Sequence, residues 1–396
     1  MLALFAHIPT ALLIAAPLLL LISTKLVSTV MSVVAVFVIL LHPKRGAILR
    51  GIIQSRALYI LIALILVWPL LSVVWSIEPS ESLSDWLRIA LIMLVGAILW
   101  VSANRFTAPA AARLVEWMAL SCIAVQCFIA LETVAGIPVL IWVTDGLGGD
   151  HYKLVMQYLN RFANAMTLLS LVLIYGLLKK QMRVLALELF AVTTITLLSL
   201  DSNSAMLGLV AGCGIWLLMH GMPKVTMRLL SMLVPLGFLI LPALTYALLT
   251  LPELDSVREH FASFSAGRMP IWNSLIANSW DHWQLGWGIS TTHLIPYSPD
   301  LPNQITFNGP PLHPHHSALQ VLLELGAIGL LLFTAALCLV LKQCARLPVG
   351  LGQEAAVAMM IAYLATGLSS FSIWANWWIG MAWLAAILWR YLGSAR

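Results

Sequence analysis

Apolar stretches of about bilayer-crossing length recur along this chain, separated mostly by short polar turns. The pattern predicts twelve helices: Leu4–Ser23, Leu26–Leu41, Ala57–Trp75, Trp86–Val101, Leu114–Leu131, Phe162–Leu178, Val184–Leu200, Ala205–Met219, Leu229–Leu249, Ser317–Leu341, Ala355–Phe371 and Trp377–Leu392. The runs are continuous rather than alternating residue by residue, which excludes a membrane β-barrel. The first lacks a basic start and no polar domain follows it, so it reads as a retained helix rather than a signal peptide. Two connections are longer than turns, Glu132–Arg161 and Thr250–His316. The first contains an apolar piece, Ile137–Trp142, expected to dip into the membrane surface, and it delivers Arg161 to the start of the sixth span. The second opens with an acidic helix over Pro252–Phe264. A further helix is expected after Pro270, where proline costs nothing, carrying Trp272, Trp280 and Trp283. A proline-rich piece, Ile295–Pro311, then leads to a histidine cluster.

Composition agrees with an all-α polytopic membrane protein: of 396 residues, 61% are hydrophobic and 9% charged, against about a quarter charged in an ordinary globular domain. The basic residues are distributed unevenly. One set of alternate connections holds 15 of the 21 (Lys44, Arg45, Arg50, Arg56, Arg105, Arg113, Lys179, Lys180, Arg183, Lys224, Arg228, Lys342, Arg346, Arg390 and Arg396). The other set holds Lys25, Arg88, Lys153, Arg161, Arg258 and Arg268. The positive-inside rule places the richer set in the cytoplasm. Both termini are then cytoplasmic and both long loops lie outside. The net charge of +5 reflects this asymmetry and gives no indication of nucleic acid. The chain divides into residues 1–249, with nine spans and the loop 132–161; 250–316, the large outer loop; and 317–396, with the last three spans. None of the five cysteines lies in an outside loop, so neither a disulfide framework nor a metal knuckle is indicated. No P-loop is present, which argues against transport driven by the chain's own ATP hydrolysis.

Chemistry concentrates in one polar island, Gly267–Gly326, which holds five of the ten histidines: His282, His293, His313, His315 and His316. It contains Gly267-Arg268, Trp272, Gly286-Trp287-Gly288, and then His315-His316-Ser317-Ala318-Leu319 followed by Leu323-Glu324-Leu325-Gly326-Ala327-Ile328-Gly329. Further back, Leu159-Asn160-Arg161-Phe162-Ala163-Asn164 opens the sixth span. In order and on one membrane side, these motifs resemble the O-antigen ligase family, which shares its core motif with O-antigen polymerases and protein O-oligosaccharyltransferases. The family pattern has His-Asn-x-x-Leu before Glu-x-Gly; here His316 stands in place of the Asn. Its Ser-Arg turn is represented by Asp201-Ser202-Asn203-Ser204, without the Arg, and that turn is given no role.

The resemblance implies about twelve spans and one large periplasmic loop with short helices, in the manner of GT-C-like glycosyltransferases. It implies a bacterial inner-membrane enzyme that moves O-antigen glycan from undecaprenyl pyrophosphate to a hydroxyl of lipid A–core oligosaccharide on the periplasmic face, among membrane lipids and without a cofactor. An O-antigen polymerase using the same donor is the nearest alternative. A flippase or transporter for lipid-linked sugars is another, although that class favours charges near mid-membrane and pseudo-symmetric halves.

The residue types fit such a transfer. A departing pyrophosphate needs fixed cations, and the arginine fork holds phosphate oxygens without losing its charge. Arg161 and Arg268 are the candidates, each expected beside a helix start, where the dipole also favours an anion. An attacking hydroxyl needs a base, which neutral histidine supplies. His315 occupies the family position, with His313 and His316 as neighbouring candidates for substrate binding. Direct displacement inverts the anomeric carbon and needs no second carboxylate. No Asp-x-Asp motif implies a metal. Each residue also has a plainer reading. Arg161 could be an interfacial anchor, Arg268 a staple to Asp255 or Glu259, and Arg88, a weaker phosphate candidate, a partner of Glu81 or Asp85. The His313–His316 group as a zinc site would need further ligands. Trp272 could stack on a sugar or simply pack the loop, and Trp374, Trp377 and Trp378 are expected in the aromatic belt. Glu324, costly if unpaired inside a span, is expected to meet a polar partner in the bundle.

Overall fold

The computed structural model describes residues 11–41, 46–103, 108–144, 151–264, 268–277, 282–295 and 312–394, and no strand occurs among them. The helices are α1 (Ala16–Ile22), α2 (Leu26–Leu41), α3 (Gly46–Gln54), α4 (Arg56–Ser72), α5 (Pro79–Ser102), α6 (Ala108–Val134), α7 (Pro138–Thr144) and α8 (His151–Lys179). They continue as α9 (Arg183–Ser199), α10 (Asn203–Gly221), α11 (Pro223–Thr250), α12 (Asp255–Phe264), α13 (Arg268–Ala277), α14 (Ser317–Ala345), α15 (Leu351–Gly367) and α16 (Asn376–Ser394). Each of the twelve expected stretches falls mainly on helix; residues 4–10 lie outside the described residues, and residues 368–371 are not helical. Seven described helices are long and apolar enough to cross a membrane. The protein is an all-α polytopic membrane protein, its exterior lined by exposed side chains such as Leu187, Leu198, Val210 and Leu217, as a lipid solvent requires.

The central element is α8, in which an 18-residue apolar window within Val155–Lys179 is 83% buried; α1, α6, α9, α10, α15 and α16 pack around it. Small residues bring α10 and α15 together: a Cβ on Gly212 would lie 3.1 Å from that of Ala362, the close backbone approach by which membrane helices gain packing energy. α14 is held between α4 and α11. A separate apolar cluster seats α13 on the start of α14, with Met269, Ile271, Trp272, Leu275 and Ile276 against Leu319 and Leu323.

Several expectations change. α8 begins at His151, so Arg161 sits within a helix rather than beside its start, and the dipole argument does not apply to it. α13 begins at Arg268, before Pro270; proline is tolerated there because the first turn has no N–H acceptor to lose. Trp283 lies in a turn rather than on that helix, and Trp280 is outside the described residues, as are residues 296–311 of the proline-rich piece. α15 ends at Gly367, a turn before the expected Phe371, leaving a connection that Ser369, Ser370 and Ser372 anchor to nearby backbone and side chains. Trp374, Trp377 and Trp378 are buried rather than in an interfacial belt. Their indoles pack with Phe333, Phe371 and Tyr363 inside the protein.

Candidate functional site

A break in α14 builds the site. Gly326 has φ 67 and ψ −171, outside the helical region. The helix therefore loses the bonds that Ala327 and Ile328 would make to Leu323 and Glu324. The 283–288 turn replaces both halves of those bonds. Ala327 N–H donates to Trp283 O at 2.8 Å and Ile328 N–H to Gln284 O at 3.5 Å. Trp287 N–H donates to Leu323 O at 3.0 Å and Gly288 N–H to Glu324 O at 2.8 Å. Leu325 O accepts from the Trp68 indole at 2.9 Å. No backbone group can go unpaired at this depth, and glycine is needed on both sides. A Cβ on Gly326 would lie 2.1 Å from Gln284 O, and one on Gly286, at φ 73, would lie 2.3 Å from the Glu324 carbonyl carbon.

This interlock places Glu324, fully buried, at the centre of a ring of donors. Its carboxyl oxygens accept from Ser290 N–H at 2.8 Å, Thr292 N–H at 3.3 Å and Gln320 Nε2 at 3.1 Å. The Thr292 hydroxyl and the Trp374 indole N–H bond to it as well. The expectation of a polar partner for Glu324 is met several times over. Gln320 Nε2 also donates to Ser372 Oγ at 2.9 Å, and Gln320 Oε1 accepts from Ile373 N–H at 3.1 Å. The 368–375 connection is thereby tied to the first turns of α14.

The histidines lie at the entry to α14. His316 is its N-cap: Nδ1 accepts from Leu319 N–H at 3.1 Å. Asparagine is a preferred N-cap for the same reason, so His316 fills a position that Asn would also suit. Trp272 reaches this segment from α13. Its indole N–H donates to Pro314 O at 2.7 Å and its ring meets His316 edge-on, with centroids 5.7 Å apart. His315 adopts φ 52, a left-handed conformation uncommon outside glycine. Its Nδ1–H donates to the Ser370 carbonyl; because a carbonyl only accepts, the neutral ring carries its lone pair on Nε2. His313 packs 4.1 Å from it, ring centroid to ring centroid, and accepts the His315 N–H on Nδ1 at 3.3 Å.

The Arg268 charge acts on His315 and the Arg161 charge on His313. Burial pushes the His315 imidazole below its ordinary value; the Ser370 bond opposes this and Arg268 adds to it. Burial, then His315 and Arg161, pushes His313 down to about 3, and burial brings His316 to about 4. All three rings are neutral at pH 7. Burial also lowers the Arg268 guanidinium. Arg258 takes Asp255 and donates to Leu249 O at 2.7 Å, so Asp255 already has a cationic partner other than Arg268. Arg161 is half-buried and has no ion pair among the described residues.

Arg88 meets Asp85 and Ser84 in the described contacts. It is exposed and pairs with Asp85 at 2.9 Å, and Asp85 accepts from the Ser290 hydroxyl at 2.5 Å. Nearby, His293 Nε2 meets Glu81 at 3.2 Å. The 201–204 turn, given no role in the sequence, supports the α8 segment that carries Arg161. Ser202 Oγ donates to Asn160 Oδ1 at 2.5 Å, and Asn164 Nδ2 donates to Ser204 Oγ at 3.1 Å. Sequence reasoning also missed Gln320, Ser370 and Trp374. The Gln320/Glu324 pair, one helical turn apart in an apolar run, was the available signal.

The fold thus defines a multi-pass helical membrane protein in which a loop is locked to a broken helix and the entry to that helix carries three neutral histidines. Residues 189–334 match the O-antigen ligase family model. A provisionally named polysaccharide ligase of Rickettsia conorii is 30% identical over 203 residues, covering 48% of this chain and 47% of the relative. Another, of Rickettsia felis, is 29% identical over 247 residues, covering 60% and 59%. A third, of Rickettsia typhi, is 28% identical over 240 residues, covering 58% and 56%. The chain spans about half the length of the relatives it matches. Together these matches support an O-antigen ligase family for this chain, in agreement with its motifs.

Proposed function

We propose that this protein is an inner-membrane glycosyltransferase that moves an O-antigen glycan from undecaprenyl pyrophosphate to a hydroxyl of lipid A–core oligosaccharide on the periplasmic face. The reading rests on one observation: the charges of Arg161 and Arg268, on separate segments of the chain, act on His313 and His315, whose imidazoles are neutral. In the proposed step, the acceptor hydroxyl oxygen bonds to the anomeric carbon of the donor sugar. The bond from that carbon to the pyrophosphate oxygen breaks, and its electron pair leaves with the oxygen. His315 Nε2 takes the hydroxyl proton. Arg161 and Arg268 stabilise the charge that develops on the pyrophosphate, as fixed donors do best where water is thinned. Displacement from the opposite face inverts the anomeric centre. Trp272 and His316 hold the histidine segment in place, His313 borders the substrate, and Arg88 lies further out as a candidate phosphate contact.

The purified protein, supplied with a lipid-linked glycan donor and lipid A–core acceptor, is expected to form the glycan–core product with release of undecaprenyl pyrophosphate. Extension of the lipid-linked glycan instead would identify a polymerase. Movement of the donor across vesicles without any new glycosidic bond would identify a transporter.

A further inference from the structure

We propose that Glu324 is a positioning residue for transfer: through Gln320 and Trp374 it holds the 368–375 connection so that the Ser370 carbonyl fixes the His315 tautomer. The inference rests on the proposed role of His315 as base. Of the groups around the Glu324 carboxyl, two backbone N–H groups, one amide and one indole can only donate. These four obligate donors, with the Thr292 hydroxyl able to donate beside them, suit a carboxylate. It has no cationic partner among these contacts, so the donors themselves hold it.

The chain of contacts runs in one direction. Glu324 orients the Gln320 amide, which binds both Ser372 Oγ and Ile373 N–H. It also takes the Trp374 indole N–H, and Trp374 N–H in turn donates to Ser372 Oγ at 3.2 Å. These anchors fix residues 372–374 against α14. Ser370, two residues earlier, is held by the same connection and presents its carbonyl to His315 Nδ1–H. Without that carbonyl the proton can sit on either ring nitrogen, and the tautomer protonated on Nε2 cannot accept the hydroxyl proton there. Glu324 touches neither the imidazole nor the arginines in any of these bonds, so its effect falls on turnover rather than on donor affinity.

The test compares the wild type, Glu324→Gln and Gln320→Leu in the full-length protein. Histidine is labelled with 15N, and the His315 signals are identified by their loss in His315→Ala. In the wild type, Nδ1 is expected to be protonated and Nε2 to carry the lone pair. Both variants are expected to show averaged tautomers and at least a tenfold lower kcat, with the KM for donor within about twofold of wild type. A wild-type tautomer with wild-type kcat in Glu324→Gln would overturn the proposal; if that variant does not fold, the same result in Gln320→Leu would do so. Averaged tautomers in the variants together with a fully active His315→Ala would leave the positioning intact and remove His315 as the base.

Discussion

At the scale of single residues, the proposed transfer depends on charge that cannot be neutralised and on a ring that must be neutral. Truncation of Arg161 or Arg268 to Ala is expected to lower transfer by about 10²–10³-fold each, the usual cost of losing one preorganised donor, with protein level and melting temperature retained. Lys at either position should recover little, because a point charge does not reproduce a two-pronged phosphate contact. Wild-type turnover in both Lys variants would reduce the arginines to diffuse charge. His315→Ala is expected to cost about 10²–10⁴-fold, the range for a lost general base, and His313→Ala less. The working form of His315 is neutral, and its burial lowers the imidazole below its ordinary value. Activity should therefore hold on the alkaline side and fall as pH drops through a midpoint below about 6.5. A flat profile down to acid pH, with His315→Ala still inactive, would make the ring a charge stabiliser. The residue types in this site were legible, because Arg and His are conspicuous among so few polar groups. Their interaction was not: Arg161 and His313 lie on separate segments, and no local pattern reports a charge effect of that range. Trp374 was misplaced for a related reason. A tryptophan at the end of an apolar run looks interfacial until its indole partner is known.

At the scale of elements, the N-cap and the break of α14 carry the consequences. His316 is pushed to about 4, and the unfolded ring titrates near 6.5. Its contribution to stability is therefore fully present above about pH 6.5 and is lost as pH falls toward 4. Protonation also removes the lone pair that accepts Leu319 N–H. His316→Asn should keep activity and flatten the acid side of the melting curve against pH, whereas His316→Ala should cost about 1 kcal/mol at neutral pH, the worth of a cap. An acid profile unchanged in His316→Asn would place the titration elsewhere. Gly326→Ala should be worse than either. That backbone region, φ 67 with ψ −171, is open essentially to glycine alone and costs an L side chain about 1–3 kcal/mol, and the new Cβ would collide with Gln284 O. Loss of both melting cooperativity and transfer is expected, and an Ala variant as stable as wild type would contradict the interlock. The helices themselves were readable from their apolar runs. The break was not, because a glycine inside an apolar helix looks like many others until the turn that replaces its backbone bonds is in view.

At the scale of the whole molecule, the charge asymmetry sets the orientation on which the periplasmic reading rests. On a cysteine-free background, Asp300→Cys should label from the periplasm and Gln181→Cys from the cytoplasm. Labelling of both from one side would remove the orientation and, with it, the assignment of the site to the donor's side of the membrane. Residue 300 lies outside the described residues, so this expectation comes from the sequence alone. Class and span positions were largely legible at this scale because lipid imposes apolar length on each crossing. The central place of α8 was not, since a helix buried on all sides and one facing lipid are equally apolar.

The ring around Glu324 also bears on when, during synthesis, a working enzyme can exist. Chains are made and settle from the N-terminus onward, and α14 emerges with its carboxyl while Trp374 is still to be translated. The 282–292 turn can close on the broken helix at that stage, but the Ser370 carbonyl is not yet there to fix the proton of His315. A ribosome-bound or prematurely stopped chain ending after α14 would thus hold both arginines and all three histidines of the proposed site with the His315 proton still shared between the two ring nitrogens. On the proposed mechanism, full competence would arrive only once residues 368–375 have been made and docked.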